Sequence, residues 1–538
     1  MAKFVTTCIV ALNLACLPLP ASLYAVPSNS RGFGRLHFAN SCSAQVQEDF
    51  DAAVAMLHSF QYGLAEKTFS QVAQKDPQCS IAYWGAAMTL YHQLWDWPSA
   101  EALQKGRYYL AKAGPLLRKD QRETAYLNAA IAFFQPEENL GRASRIQAYS
   151  AKMLQVHEHY PQDADAAAFY ALSLLTLPEQ APDRLANQKK AIALLQTLFA
   201  DQPEHPGAAH YLIHAADTAD LAHLALPAAL RYAQIAPSSP HALHMPAHIF
   251  ARLGMWQESI SSNLASLAAA EEATRSLRDD GSGDALHAVM YLAYSYLQTG
   301  QDEDALQVVE RIRSFPGATT IDVVNHLSIL EALYAVETHD WKQASSLPPR
   351  PTAFPYARVR TFWARAIGAA RTGDIVSARQ NLKKLDEART GMLAYMRSVD
   401  AQMHTCRSRN SDISVQQLEA RAWLAWAEGK TTQALDMMRA ATRREEYFSV
   451  ESRTVPAYEM LGDMLLELHQ PKSALLAYAA ALKAAPGRLN AITGAARASK
   501  AVGNSDRARF YYAMLLNCCS ALTKRTEFGE AKLFLSGN

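Results

Sequence analysis

The chain has 538 residues, long enough for several domains or for one long repeat array. Its formal net charge is +1, which argues against nucleic acid as a principal partner, because phosphate binding needs a concentrated positive face. No block of like charge indicates a disordered tail.

The first 25 residues have the pattern of an export signal. Lys3 supplies a positive charge, the segment 4–19 is mostly apolar, and Ala25 is a small residue at the expected cleavage point. No later apolar run reaches the ~20 residues that a membrane span requires, so we expect no membrane span in the mature chain. We predict an exported protein, periplasmic or secreted. The alternative is that the N-terminal segment is retained as an anchor.

The cysteines agree with export. Five of the seven lie beyond the predicted signal, and an oxidising compartment favours disulfides. Cys42 and Cys79 are the best candidates for a disulfide pair. The alternative interpretation is two buried free thiols.

Helical hairpins recur from about residue 44 to residue 520. Apolar residues repeat with the helical period, and strand signals are nearly absent. The segment YGLAEKTFSQVAQKDP has the spacing (Ala65, Phe69, Pro77) of the second helix of a tetratricopeptide repeat. A single hairpin cannot bury its apolar stripe, so neighbouring hairpins must stack. We therefore predict an all-α, tetratricopeptide-repeat-like α-α superhelix (a solenoid) of about twelve helical hairpins.

A proline cluster at 348–351 interrupts this rhythm and marks the clearest joint in the array. We expect the first helix of each hairpin to line an inner, concave groove. Such arrays are usually binding scaffolds, so the fold alone does not define the function. We predict an N-terminal array over 44–350, a C-terminal array over 354–520 and a tail over 521–538.

The stretch PHALHMPAHIF, residues 240–250, places three histidines on one predicted first helix. Aligning Ser259 with the small residue that follows the turn of a 34-residue repeat sets the register. In this register His241, His244 and His248 face the groove. The register therefore argues against a location in the hydrophobic core.

The preceding repeat carries histidines at two of the same positions. His210 and His214 each stand 34 residues before His244 and His248. Side chains four residues apart share a helix face, and packed helices lie ~8–10 Å apart, so we expect a patch of four imidazoles. A metal ion needs ligand nitrogens at ~2.0–2.1 Å, so the side chains would have to converge from both helices.

Further residues fall around this patch. His287 occupies the position of His241 one repeat later, and His205 stands where an N-cap residue belongs. The other candidates for orienting the ligands or lining the groove are Asp217, His58, His92, Trp84 and Arg252.

Pro246 lies inside the predicted helix and removes one of its backbone hydrogen bonds. Two interpretations are open. Either the helix is kinked there, which re-aims His244 relative to His248, or the helix begins at Pro246. A straight, uninterrupted helix over 240–253 would exclude the kink.

Several stretches together resemble an uncharacterised family of bacterial and fungal tetratricopeptide-repeat proteins. They are HPGAAHYLIHA, HALHMPAHIF (continuing as ARLGMW), DPQCSIAYWGAAMTLYHQLW, MLGDMLLE and GAARASKAVGNSDRARFYY. The resemblance covers nearly the whole mature chain and implies the fold, but no activity. The chain departs from the family pattern at Val289, where an acidic residue is usual, and in SVESRTVPAYE.

The first hypothesis for function is a metal-binding groove. All-imidazole ligation suits copper, zinc, iron or nickel, and export makes copper and zinc the first candidates. An ion with an open coordination position would imply redox or hydrolytic chemistry, although no motif names a reaction. The expected ligands are His210, His214, His244 and His248, with His241, His287 and Asp217 as further ligands or supporting groups.

Two other hypotheses use the same residues differently. The chain is a scaffold that binds a peptide or protein partner in the groove, or the histidines are structural. A structural role requires them to be buried and hydrogen-bonded to the backbone.

Overall fold

The computed structural model describes residues 30–94, 97–116, 121–136, 140–178, 183, 185–276, 282–314, 320–350, 355–398, 404–448, 455–518 and 523–537. Within these ranges the chain folds into α-helices and short 3-10 turns, without a β-strand. The helices are α1 (Gln47–His58), α2 (Tyr62–Lys75), α3 (Ser80–Met88), α4 (Ala100–Ala113), α5 (Gln121–Phe133), α6 (Arg142–His159), α7 (Ala164–Leu174), α8 (Ala186–Asp201), α9 (Pro206–Ala216), α10 (Leu226–Ile235), α11 (Pro240–His244), α12 (Pro246–Leu253), α13 (Trp256–Arg275), α14 (Ser282–Gln298), α15 (Asp302–Arg311), α16 (Thr320–Glu337), α17 (Trp341–Ser346), α18 (Pro355–Arg371), α19 (Ile375–Ser398), α20 (His404–Ala427), α21 (Thr431–Phe448), α22 (Ala457–Glu467), α23 (Pro471–Ala484), α24 (Leu489–Ala501), α25 (Ser505–Cys518) and α26 (Thr526–Leu535).

These helices form twelve hairpins in chain order, with α11 and α12 together serving as one first helix and α26 following the last hairpin. First helices also pack on first helices of neighbouring hairpins, as in α7 with α9 and α18 with α20. This is the stacking that the apolar stripes require. The predicted all-α superhelix of about twelve hairpins is therefore confirmed.

Small residues let helices of neighbouring hairpins approach closely. In α2 the buried face is Ala65, Phe69, Val72 and Ala73. A side chain at Gly85 of α3 would lie 2.3 Å from the ring of Phe69, so only hydrogen fits there. The small-large alternation that identified the repeat in the sequence is thus the contact that holds α2 against α3.

Three apolar clusters form the core. The first extends from Phe38 to Phe250, the next from Ala247 to Leu333, and the last from Ala332 to Ala531. The last cluster begins on α16, before the proline cluster, and residues 351–354 lie outside the described ranges. The division into arrays at 350 therefore stays a prediction.

The C-terminal hairpins pack back onto the middle of the chain. The indole of Trp256 donates to the carbonyl of Gly487 at 2.8 Å, and Gly254 has a φ of 71° close to Pro486. Arg525 pairs with Asp302 at 2.7 Å. The segment predicted as a tail contains α26, which buries Phe528 and Ala531. The array therefore curls back on itself, and its last helix is part of the core.

Cys42 and Cys79 form a disulfide that ties the N-terminal segment to the start of α3. The export signal predicted over 1–25 lies outside the described residues. Among the described helices, none combines the length and apolar character that crossing a membrane requires.

Candidate metal centre

Three neighbouring first helices bring six histidines together. Helix α9 carries His210 and His214, the segment α11–α12 carries His241, His244 and His248, and α14 carries His287. Helix α9 packs on α12, and α14 packs on both α11 and α12. The convergence follows from the repeat, because equivalent turns of stacked first helices face one another.

Cluster A consists of His210, His214 and His241. The Nε2 atom of His210 lies 3.1 Å from Nε2 of His214 and 3.0 Å from Nε2 of His241. The ring of Phe60 lies against all three imidazoles, with centroid distances of 4.4 to 5.8 Å. Cluster A is a set of three converging nitrogens with an apolar ring beside it.

Cluster B consists of His244, His248 and His287. The Nε2 atom of His248 lies 3.0 Å from Nε2 of His244 and 3.4 Å from Nε2 of His287. The ring of Tyr291 lies 4.6 to 5.6 Å from the three imidazoles. In both clusters the candidate ligand atoms lie within 4.8 Å of one another.

The Nδ1 atoms of these histidines face oxygen acceptors. His210 donates to the carbonyl of His58 at 2.6 Å, and His244 donates to Oδ1 of Asn263 at 2.6 Å. The Asn263 amide is oriented in turn by its donation to the Ser259 carbonyl at 2.7 Å.

The oxygen acceptors that face the Nδ1 atoms of His248 and His241 are carboxylates. His248 donates to Oδ2 of Asp217 at 2.8 Å, where the hydroxyl of Tyr291 also lies 3.0 Å from Nδ1. Nδ1 of His241 lies 3.4 Å from Asp284. Acceptors at this nitrogen fix the tautomer and ring orientation of an imidazole and raise its basicity as a ligand.

In cluster B two nitrogen lone pairs point at each other. A carboxylate and an amide oxygen only accept hydrogen bonds, so Nδ1 carries the proton in both His244 and His248. When both rings are neutral, their Nε2 atoms carry no proton, yet these atoms lie 3.0 Å apart. Such a pair needs a cation between its members, either a proton or a metal ion.

Burial keeps two imidazoles of cluster A, those of His210 and His214, neutral. Burial, reinforced by His214 and His241, holds the pKa of His210 well below its ordinary value. Burial, with His241 and His248, does the same to the pKa of His214. Neutral imidazole is the form that binds a metal.

Asp217 stays ionised. Burial by itself raises the pKa of Asp217, but the charge of Arg252, together with His248, outweighs burial and holds this pKa well below its usual range. Arg252 Nε donates to Asp217 at 2.9 Å. Asp217 is therefore a fixed acceptor for His248 rather than a member of the nitrogen cluster.

The first helix is interrupted at Met245, between α11 and α12, although the backbone of Met245 is itself helical, with φ −52° and ψ −35°. The break accompanies Pro246. His244 and His248 then face each other across the break, with ring centroids 5.0 Å apart.

A buried network adjoins cluster A. His58 and His205 donate from Nε2 to Asp165 at 2.9 and 3.3 Å, and His205 Nδ1 accepts from the Ala208 amide as the N-cap of α9. Tyr211 lies 2.9 Å from the other nitrogen of His58. Burial lowers the pKa of His58 to about 4. Both nitrogens of each ring have protein partners, so this network supports cluster A rather than extending it.

Three expectations from the sequence need correction. Trp84 is not in the groove. It is 1% exposed and packs with Phe38 in the core, because the N-terminal segment covers that face. His92 lies behind Tyr62, on which it stacks at 4.1 Å. The predicted patch of four histidines is divided into two groups of three, and only His214 and His287 among the six are partly exposed.

Sequence reasoning missed residues that support the clusters. Asp284 precedes His287 by three residues and Phe60 follows His58 by two, so helical spacing was a signal for the first. Asn263 was also missed, because its contact with His244 depends on how α13 meets α11. No signal was available for Phe60, because its role depends on how α1 meets α9.

No protein-family model matches this chain, and no curated protein matches it in sequence. The family inferred from the motifs therefore stays a prediction.

Solved structures with a similar course are helical-repeat proteins. The human IFIT1 dimer with m7Gppp-AAAA is 12% identical and has a TM-score of 0.37, covering 86% of this chain and 94% of that chain. Yeast Tom70 is 11% identical, with a TM-score of 0.32 and coverage of 85% and 96%. The TPR domain of P58(IPK) is 14% identical, with a TM-score of 0.21 and coverage of 72% and 98%. Scores this low carry no argument about function.

Proposed function

We propose that this protein binds transition-metal ions through its six clustered histidines, three imidazoles to each ion. The observation that carries the proposal is the facing pair of Nε2 atoms in His244 and His248, 3.0 Å apart, in rings whose Nδ1 atoms already have oxygen partners. Two nitrogens bound at ~2.0–2.1 Å to one tetrahedral ion lie roughly 3.3–3.4 Å apart. Two of the three nitrogen separations in each cluster, 3.0 to 3.4 Å, lie close to that value, and all three lie within 4.8 Å.

Copper and zinc are the candidates, because neutral imidazoles suit them and carboxylates stay outside both nitrogen sets. Three protein ligands leave a fourth position for water or a substrate. The proposal therefore includes catalysis without naming a reaction. A peptide has little access to these imidazoles, since His210 and His244 are 0% and 1% exposed.

Metal content and titration of the untagged protein test the proposal. We expect two equivalents of copper or zinc per chain at neutral pH and progressive release in acid, because protons compete for the ligands. His210→Gln should lose one equivalent and His244→Gln the other. His92→Gln is the matched control and should keep both.

A variant beyond the nitrogens refines this test. Asp217→Asn leaves all six imidazoles in place but weakens the acceptor of His248, so we expect affinity in cluster B to fall ~10–100-fold. A wild-type protein with less than a tenth of an equivalent and no uptake on titration would refute the proposal.

The scaffold role is a second candidate, favoured by a different part of the chain. A cavity of about 300 Å³ lies among α18, α22, α24 and α26, with Arg371, Asp463 and Asn490 in its wall. The hydroxyl of Thr493, also in this wall, is buried without a hydrogen-bond partner. Selection from a displayed peptide library should enrich peptides whose binding is lost in Asp463→Lys. Absence of any such peptide would count against this role.

A further inference from the structure

The two histidine clusters are built by the same helices, one helical turn apart. In α11, His241 belongs to cluster A and His244, three residues later, to cluster B. In α14, Asp284 contacts His241 of cluster A and His287 belongs to cluster B. Each of these two helices thus contributes one residue to cluster A or its partners, and contributes the residue three positions later to cluster B.

The end of α9 repeats this arrangement. His214 belongs to cluster A, and Asp217, three residues later, accepts from His248 of cluster B. Three residues of helix rise ~4.5 Å, so the centres of the clusters lie roughly 5 Å apart. The facing rings of His214 and His248 agree, with centroids 6.3 Å apart.

The charges around the clusters favour ions of low charge. Imidazole binds a metal in its neutral form, and the carboxylates that contact the imidazoles are Asp217 and Asp284. Arg252 adds a positive charge beside Asp217. With Asp217, Asp284 and Arg252 counted, two Cu⁺ ions leave a net charge of +1 and two Zn²⁺ ions leave +3 in a largely buried site.

Access to the clusters is from one side of each. His214 in cluster A and His287 in cluster B are partly exposed, while the other four imidazoles are buried. Phe60 and Tyr291 pack against the rings. This burial and packing favour a small ligand between the ions over a bulky one.

We propose that the two clusters form one binuclear copper centre that binds dioxygen between its ions. This inference rests on the proposed metal binding. Each Cu⁺ gives one electron to the dioxygen molecule, which leaves two Cu²⁺ ions bridged by dioxygen reduced by two electrons. No proton enters or leaves, and return of both electrons releases dioxygen.

The experiment loads the full chain with Cu⁺ without air, counts copper, and then admits dioxygen. We expect two coppers per chain and uptake of one dioxygen per pair. A new charge-transfer absorption should appear without a Cu²⁺ electron paramagnetic resonance signal, because a shared bridge couples the two spins. Removing dioxygen should reverse the absorption.

His244→Gln is the matched variant, since it disrupts cluster B and leaves cluster A. It should hold one copper, take up no dioxygen reversibly, and show the full signal of an isolated Cu²⁺ after oxidation. Circular dichroism establishes that this variant is folded. If it does not fold, His287→Gln, at a partly exposed position, takes its place.

The outcomes separate the two proposals. Two coppers per chain with no dioxygen uptake, or with two uncoupled Cu²⁺ signals, overturn the binuclear centre and leave metal binding intact. Binding of zinc but not copper does the same. Failure to bind any metal overturns the proposed function itself.

Discussion

At the scale of single residues, two carboxyl groups show how surroundings decide ionisation. Asp217 faces Arg252 and stays ionised, so it accepts from His248. Burial raises the pKa of Asp463 to about 7, although Tyr478 donates to this carboxyl at 2.6 Å. Desolvation is offset only where a cation lies close enough.

Asp463→Asn tests this assignment through the pH dependence of stability. The folded carboxyl keeps its proton up to about pH 7, whereas an unfolded aspartate releases it near pH ~4. Wild-type stability should therefore fall between these pH values as pH rises. The asparagine variant lacks this loss, so urea unfolding at pH 8 should show it about 4 kcal/mol more stable than wild type, at ~1.4 kcal/mol for each of about three pKa units. At pH 4 the two proteins should match, and equal stability at both pH values would contradict the assignment.

At the scale of the helices, the clusters depend on how α9 meets α1. A side chain at Gly207 would lie 2.4 Å from Nδ1 of His58. His58 is fully buried, and its carbonyl accepts from His210. The close approach of these two helices therefore sets the direction of a ligand in cluster A.

Gly207→Ala should disturb this contact. We expect the free energy of unfolding to fall by about 1–3 kcal/mol, because the buried His58 side chain cannot move away from the added methyl group. We also expect weaker metal binding in cluster A. Gly391→Ala is the control: it lies in α19 with open space around it, and alanine should stabilise that helix by up to ~1 kcal/mol. Urea unfolding of both variants makes the comparison, and a Gly207→Ala protein as stable as wild type would show that α9 can shift freely.

At the scale of the whole molecule, one buried arginine joins the two halves of the array. Arg488 donates to Glu459 at 2.8 Å, to Tyr294 at 2.7 Å and to Glu337 at 3.0 Å. These partners lie on α22, α14 and α16. The ion group therefore holds the C-terminal hairpins against the middle of the chain.

Arg488→Met should leave two buried carboxylates without their partner. We expect a loss of about 3–5 kcal/mol in the free energy of unfolding, with separate melting of the two halves in calorimetry. Arg439→Ala, which removes an exposed pair with Asp436, should change stability by less than ~1 kcal/mol. A single unshifted transition in Arg488→Met would show that apolar packing alone closes the array.

The sequence alone was enough to predict the helical hairpins and the six clustered histidines. The 34-residue interval between His210 and His244 has a simple physical cause, because repeats of one length present equivalent positions on one surface. The disulfide partners were also predictable from the few available cysteines. Each of these inferences depends on the period and spacing of residues, which can be read directly from the sequence.

The tertiary structure decided how the histidines are grouped. Their division into clusters A and B depends on which turns of α9, α11 and α14 face each other and on the break before Pro246, and no interval along the chain reports that. The structure also placed Trp84 in the core and folded α26 onto the middle repeats. Arg488 and Glu337 are far apart in the sequence and come together only because the repeats pack against one another. Residue spacing therefore predicted which side chains share a surface, and only the packing decided which side chains are in contact.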